Sequence, residues 1–261
     1  MLLGRFAMAE GLVSIVMPTF NKGQYIAESI DSVLSQTYTD WELIVVDDGS
    51  TDGTQEVLRR YNDPRIRIFT LNANRGAAHA RNLALRQARG RYVAFLDSDD
   101  LWHPQKLARQ VAFMQQHGYA FTYHAYEEIN CRGERLHKKV WGKRKVTHRD
   151  LSLCCWMGCL TVMYDAKHIG LVQSSEAKFN DDMLLWREVS KKADCCLLKE
   201  CMASYRRNGR KTLSEKTADI WQLFRDKAGK TWGKSVVEFV LSMVMFGSKK
   251  LFYTDYCYEW C

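Results

Sequence analysis
The sequence predicts an α/β protein with a mixed, mostly parallel sheet flanked by helices. Three observations carry this. Short apolar runs rich in β-formers recur at residues 12–17 (LVSIVM), 41–46 (WELIVV), 66–71 (IRIFTL) and 92–96 (YVAFL); the third alternates, and the others suit strands buried on both faces. Segments of helical spacing separate them, and strand–helix alternation at this interval means a parallel sheet with right-handed crossovers. Two of the runs end in carboxylates: Asp47 and Asp48 after the second, Asp97, Asp99 and Asp100 after the fourth. That is the strand end at which open α/β sheets bind ligands.

In chain order, the first run breaks at Pro18, Thr19, Phe20, Asn21, Lys22 and Gly23, as turn residues do. A helix follows over 25–36, with Ile26, Ile30, Val33 and Leu34 at helical spacing. The second strand runs into DDGSTDG, where Ser50 or Asp52 can cap a helix ending near Tyr61. The third leads through Asn72, Asn74, Arg75 and Gly76 to a helix over 77–88, built of Ala, Leu, Arg and Gln. After the fourth come a helix over 105–117 and a strand over 120–126. Beyond Glu127 the pattern weakens. Residues 137–149 (HKKVWGKRKVTHR) form a basic loop or hairpin, and residues 153–164 (LCCWMGCLTVMY) are apolar and strand-like. A helix spans 180–192, with Met183, Leu184, Trp186 and Val189 on its apolar side. Extended segments follow at 195–198 and 202–206, then a helical tail over 213–261.

With 261 residues, 46% of them hydrophobic, the chain can bury one core of ordinary size. One domain with an appended tail therefore fits better than two domains. The expected division is a ligand-binding half over 12–126, a second half over 127–212 and the tail over 213–261. Lys and Arg number 38 against 30 acids, a formal net charge of +8. That suits a polyanionic partner: a nucleotide phosphate, a lipid-linked phosphate or an anionic membrane face. No zinc-finger, RNP or homeodomain pattern occurs, so no nucleic-acid partner is expected. Nine cysteines without a CxxC pair signal neither zinc nor a redox motif. Reduced, buried thiols in a cytoplasmic protein are expected instead. The opening MLLGRFAMAEGL is too short and too weakly apolar for a signal peptide, and either Met1 or Met8 can be the start. No run reaches the ~20 apolar residues of a membrane span.

Residues 91–104 (RYVAFLDSDDLWHP) concentrate the chemistry. On an extended chain, residues two apart point the same way, so Asp97 and Asp99 converge just past the strand end. Close carboxylates repel unless a cation lies between them. A hard divalent ion, Mg²⁺ or Mn²⁺, takes oxygen ligands and shares its shell with phosphates. The competing reading is a solvated acidic turn capping a helix that starts near Trp102 and Pro104. Asp47 or Asp48 can accept a hydrogen bond from a base N–H or a ribose hydroxyl, though DDGSTDG is equally good turn chemistry. Pro18 and Thr19 end the first strand and can line the same crevice, where Lys22, Arg75 and Arg81 can counter phosphate charge. Neither GxGxxG nor a P-loop pattern occurs, which argues against a dinucleotide oxidoreductase and a P-loop NTPase.

Three stretches in order, VSIVMPTFNKGQYIAESIDSVLSQTYTDWELIVVDDGSTDGT, NANRGAAHARNLAL and GRYVAFLDSDDLWHPQKL, together resemble the family 2 inverting glycosyltransferases of the Rossmann-like GT-A fold, over residues 13–126. The resemblance implies a nucleotide-diphosphosugar donor, a UDP-sugar above all, and a divalent metal. It sets Asp48 on the nucleobase, Asp97 near ribose and metal, and Asp99 on the metal. Pro18, Thr19 and Lys22 then line the nucleotide pocket, and Arg81 helps hold it together. The family's second-half signature is an acidic pair followed four residues later by Trp. Asp181, Asp182 and Trp186 match it, with Asp181 where Glu is usual, so spacing to Trp186 makes Asp182 the catalytic base. A carboxylate at a helix start can take a proton from a hydroxyl, although a helix-dipole pair is the structural alternative.

Related enzymes often extend lipid-linked precursors of surface polysaccharide, such as lipopolysaccharide, O-antigen or capsule. The resemblance therefore implies a lipid-linked or glycan acceptor and a cytoplasmic protein, peripheral on the inner face of the membrane. The run 236–246 (VVEFVLSMVMF), followed by Lys249, Lys250, Phe252 and Tyr253, suits an interfacial helix, or equally a helix docked on the domain. A metal-dependent nucleotidyltransferase and a non-catalytic sugar-nucleotide-binding protein are the rival readings.

Overall fold
Four parallel strands frame the chain, seen in a computed structural model that describes residues 8–173, 181–208 and 254–256. They are β1 (Ala9–Thr19), β2 (Trp41–Asp47), β3 (Ile66–Thr70) and β4 (Gly90–Phe95), linked by α1 (Ile26–Leu34), α2 (Thr54–Leu58) and α3 (Ala77–Gln87). Alternation sends Ile15, Met17, Leu43, Val45 and Ala94 into one core, and Val16, Ile44, Val46, Val93 and Phe95 into the other. Ile26, Ile30 and Val33 of α1 pack in the first, Ala80, Ala84 and Leu85 of α3 in the second. Strands covered on both faces must be apolar throughout, which is why they were legible.

The strand order β3-β2-β1-β4 reverses direction between β1 and β4 and opens a crevice at their carboxyl ends. Pairing of β1 with β4 stops at Val16–Phe95, while pairing with β2 continues to Thr19–Asp47. The Val16 carbonyl accepts from Leu96 N–H on the β4 side, and Pro18, two residues on, faces the same way past the end of β4. A proline there removes no ladder bond.

The second half comprises β5 (Leu101–Trp102), α4 (Lys106–His117), β6 (Phe121–Ile129), β7 (Arg135–Val140), β8 (Lys145–Val146), α5 (His148–Leu153), β9 (Met163–Asp165), α6 (Ala166–Ile169), α7 (Asp181–Ser190), β10 (Cys195–Arg206) and β11 (Thr254–Tyr256). β9 lies antiparallel between β4 and β6. β10 follows β6 in parallel along its other edge. Only the start of the basic segment, to Val140, is a hairpin: β7 pairs antiparallel with β6, and its cations answer β6 carboxylates, Lys138 with Glu128 and Arg135 with Glu127. Farther on, Lys145 and Val146 pair with β10 and His148 opens α5.

Several expectations are corrected. Leu101 and Trp102 pair with Ser204 and Ala203, so the helix begins only at Lys106. Residues 153–164 are mostly not strand: Cys159–Thr161 is a 3-10 turn and pairing begins at Met163. Their apolar character reflects burial of Cys154, Trp156, Met157 and Val162 in the core, and burial alone does not choose a conformation. On α7 the buried apolar side chains are Met183, Leu185, Trp186 and Val189, with Leu184 only partly covered. The two extended segments are one strand, β10, with register shifts around Cys201. Of the described cysteines, Cys131 is exposed and Cys155, Cys196 and Cys201 are only half-buried. Thr254–Tyr256, within the expected helical tail, pairs with β7 as a strand. The rest of that tail, 236–253 included, lies outside the described residues. No described helix is long and apolar enough to cross a membrane.

Candidate active site
The loops after β1 and β2 are sewn to each other. Asp47 Oδ1 accepts from Ser50 N–H, Ser50 Oγ accepts from Asn21 N–H, and Asn21 Oδ1 accepts from Thr51 N–H. Thr54 Oγ1 accepts from Lys22 N–H at 2.9 Å and Asp52 Oδ2 from Gly23 N–H at 3.0 Å. Ser50 and Asp52 thus bind the neighbouring loop; Asp52 also takes Thr54 N–H at the start of α2. Gly23 is required by close approach: a Cβ there would stand 2.9 Å from the Gly53 carbonyl carbon and from Thr54 N.

These loops, with the turn after β4, enclose a cleft of about 440 Å³ at the strand switch point. Pro18, Thr19, Lys22, Asp48, Arg81, Asp97 and Asp99 all line it. The buried Thr19 Oγ1 has no partner among the described residues. Asp48 is buried, with Oδ1 accepting from Arg75 N–H and Oδ2 from Gly76 N–H, both at 2.8 Å. It therefore shapes the loop before α3 while facing the cleft; each carboxylate oxygen has room for a second donor. Asp47 is turned into the loop, and the Arg75 side chain is exposed, contributing its backbone alone.

The acidic segment is a turn, not the extended chain the alternation argument assumed: Asp100 N–H donates to the Asp97 carbonyl at 3.1 Å. Asp97 and Asp99 nevertheless both reach the cleft. Each meets a cation from the opposite wall. Arg81, buried on α3, lies 3.4 Å from Asp97 Oδ1, and Lys22 Nζ lies 2.5 Å from Asp99 Oδ2. Asp100 turns inward and is fully buried. Burial, reinforced by Asp97 and Asp99, pushes its carboxyl well above the usual carboxylate range. Its Oδ1 accepts from Arg206 N–H.

The donor set fits a divalent cation shared with a diphosphate. Two carboxylates are the small protein contribution that Mg²⁺ takes when phosphate oxygens and waters complete its shell. Among the described residues no group of three or more His, Cys, Asp or Glu forms an all-protein cage.

Asp182 lies in the first turn of α7, partly buried, with Oδ1 accepting from Met183 N–H at 2.7 Å. It is not among the described residues lining the cleft, and residues 174–180 before it lie outside the described chain. What fixes α7 is Trp186. Fully buried, it meets Phe95 edge-on with ring centroids 4.7 Å apart. Phe95 ends β4, two residues before Asp97, so the tryptophan of the signature fastens this helix to the strand that bears the acidic turn.

Phe20, Asn74, Gly76, Tyr205 and Arg206 also line the cleft and were not singled out from sequence. Tyr205 and Arg206 both arrive on β10, where Arg206 bonds Asp100 from 106 residues away in the chain, and no local pattern announces such a contact. A second cleft, of about 470 Å³, sits by the opposite ends of β4 and β6. There Arg91 is paired with Asp165 and Lys145 with Asp194, so its charges already answer one another.

A helix-covered, mostly parallel sheet with an acidic turn at its switch point defines the GT-A class of fold. The crystal structure of S. aureus TarS 1-349 in complex with UDP-GlcNAc superposes with a TM-score of 0.67 at 23% identity, covering 90% of this chain and 73% of that one. At that identity the likeness speaks for the fold alone. Sequence narrows the class. The profile described as "Glycosyl transferase family 2" matches residues 14–162. A glycosyltransferase of Bacillus subtilis (strain 168), TuaG, named for teichuronic acid biosynthesis, is 41% identical over 198 residues, 75% of this chain and 79% of TuaG. The Escherichia coli UDP-Glc:alpha-D-GlcNAc-diphosphoundecaprenol beta-1,3-glucosyltransferase WfgD is 41% identical over 184 residues, 70% of this chain and 72% of WfgD. The chain belongs to glycosyl transferase family 2.

Proposed function
We propose that this protein is an inverting glycosyltransferase that moves a sugar from a UDP-sugar, with Mg²⁺ or Mn²⁺, to a hydroxyl of a lipid-linked glycan in surface-polysaccharide synthesis. The observation that carries the reading is the cleft at the switch point, where Asp97 and Asp99 face Arg81 and Lys22. Paired charges of both signs suit a metal–diphosphate, which brings both signs itself. Asp48, Thr19 and Pro18 on the opposite wall suit the nucleoside. The names of TuaG and WfgD support the pathway class and the polyprenol diphosphate acceptor. An anionic acceptor carrier agrees with the net charge of +8 and with peripheral work at the cytoplasmic membrane face.

In this reading Asp97 and Asp99 hold the metal, which when bound polarises the diphosphate and eases its departure. Lys22 and Arg81 stabilise the negative charge that grows on the leaving group. Asp182 takes the proton from the acceptor hydroxyl as it attacks the anomeric carbon from the far face. A single displacement inverts configuration, the transferase counterpart of an inverting glycosidase.

Incubation with a panel of nucleotide sugars, Mn²⁺ and a polyprenol diphosphate-linked sugar tests the reading. Release of UDP with transfer is expected, abolished by EDTA and lowered at least ~10-fold in Asp99→Ala, since removing a ligand costs no less than removing its outer-shell support. Release of a sugar 1-phosphate, the group left behind when the nucleotidyl moiety is what moves, would instead identify a nucleotidyltransferase, and binding without turnover a sugar-nucleotide-binding protein.

A further inference from the structure
The guanidinium of Arg206 is fully buried and its donors are spent on three separate segments. Nε donates to the Asp99 carbonyl at 2.8 Å, Nη1 to the Cys131 carbonyl at 3.3 Å, and Nη2 to Glu28 Oε2 at 2.6 Å. Its backbone N–H donates to Asp100 Oδ1 at 2.8 Å. The guanidinium carbon also sits 4.8 Å from the Tyr25 ring centre, at the head of α1. Two residues on, Asn208 Nδ2 donates to Asp99 Oδ2 at 2.9 Å.

We propose that Arg206 is the positioning residue of the acidic turn: it fixes the peptide plane between Asp99 and Asp100 and so aims the Asp99 carboxylate at the metal–diphosphate. The inference rests on the metal-dependent glycosyltransferase reading. Holding the Asp99 carbonyl and the Asp100 side chain at once removes the freedom of the peptide plane between them. The Asp99 side chain then has one direction in which to leave the backbone, and Asn208 and Lys22 complete its aim. Planar, forked donors are needed to serve the Asp99, Cys131 and Glu28 acceptors together; a lysine ammonium keeps the charge but serves them as a point. The end of β10 thereby links the donor turn to α1 and to the β6–β7 hairpin. Supporting contacts of this kind are worth 10–100-fold in metal affinity elsewhere.

The test measures Mn²⁺ affinity at saturating UDP, by electron paramagnetic resonance, for full-length wild type, Arg206→Lys, Asp99→Asn and the double variant. Arg206→Lys is expected to weaken Mn²⁺ about 10-fold while leaving metal-free UDP affinity within about 2-fold. Asn retains an oxygen, so Asp99→Asn still gives a measurable constant, and in that background Arg206→Lys is expected to cost no more than about 2-fold, since residues acting through one another are not additive. Unchanged Mn²⁺ affinity, an equal loss of metal-free UDP binding, or additive losses would each overturn the proposal. If Arg206→Lys does not fold, Glu28→Gln replaces it: it loosens only the Nη2 bond, and its smaller Mn²⁺ effect must likewise vanish beside Asp99→Asn. A wild type that binds UDP but no Mn²⁺ overturns the metal reading and this proposal with it; a wild type that binds both, with an additive cycle, overturns this proposal alone.

Discussion
The two halves of the domain build their share of the site in opposite ways. In residues 9–100 each contribution is local: a parallel strand ends, a turn follows, and the turn's own side chains face the cleft. Pro18 and Thr19 end one strand and Lys22 follows it; Asp48 follows another, Asp97 and Asp99 a third. In residues 101–208 the sheet becomes mixed. β7 and β9 are antiparallel, β10 is bulged, and its contribution to the site arrives through contacts such as Arg206 to Asp99, 107 residues apart. Repeating strand–turn–helix units deliver donor-binding groups wherever a strand stops. The other half has no repeating unit, and what it delivers depends on how it docks.

The joint between the halves is the place to break this contrast, and the largest effect belongs there. Trp186→Ala removes a fully buried ring from against Phe95 and Phe121. A loss of about 3–5 kcal/mol is expected, measured by urea unfolding. Donor binding should weaken as β4 loses its support. If stability falls but UDP affinity at low temperature does not, the donor half is independent of α7.

Asp182→Asn comes next and separates the two roles. It keeps shape but cannot accept a proton, so kcat is expected to fall roughly 10²-fold or more, with donor affinity nearly unchanged by calorimetry. Asp181→Asn should do far less. The reverse pattern would move the base one residue and leave the division of labour intact.

Gly23→Ala probes the local stitching of the donor half. The new Cβ would press on the backbone at Gly53 and Thr54, an overpacking that costs about 1–3 kcal/mol. Because the same loop presents Lys22, donor KM should rise with it. A lower melting temperature with unchanged KM would show that Lys22 finds Asp99 without help from the loop.

The smallest effect is expected at the hairpin. Arg135 is largely exposed and 3.5 Å from Glu127, so Arg135→Gln should change stability by less than about 1 kcal/mol. A larger change would mean that this half depends on its surface ion pairs as the other depends on its loops.

What the sequence by itself determined is the half in which one physical signal serves both fold and site. A strand buried on both faces must be apolar, and its end must be marked by polar turn residues, so 41–46 followed by DDGS, and 92–96 followed by DSDD, declare strand and site together. Resemblance along that half then named the family, and the Asp-Asp-x-x-x-Trp spacing pointed to α7. The tertiary structure alone decided the rest. It turned Asp47 away and Asp48 toward the cleft, folded Asp97 to Asp100 into a turn, withdrew the Arg75 side chain, and made 154–158 irregular although apolar. It alone brought Arg206 and Asn208 to Asp99. The reason is range: periodicity and turn chemistry act over a few residues, whereas a buried guanidinium is positioned by acceptors from several distant segments, which become neighbours only when the sheet has closed around them.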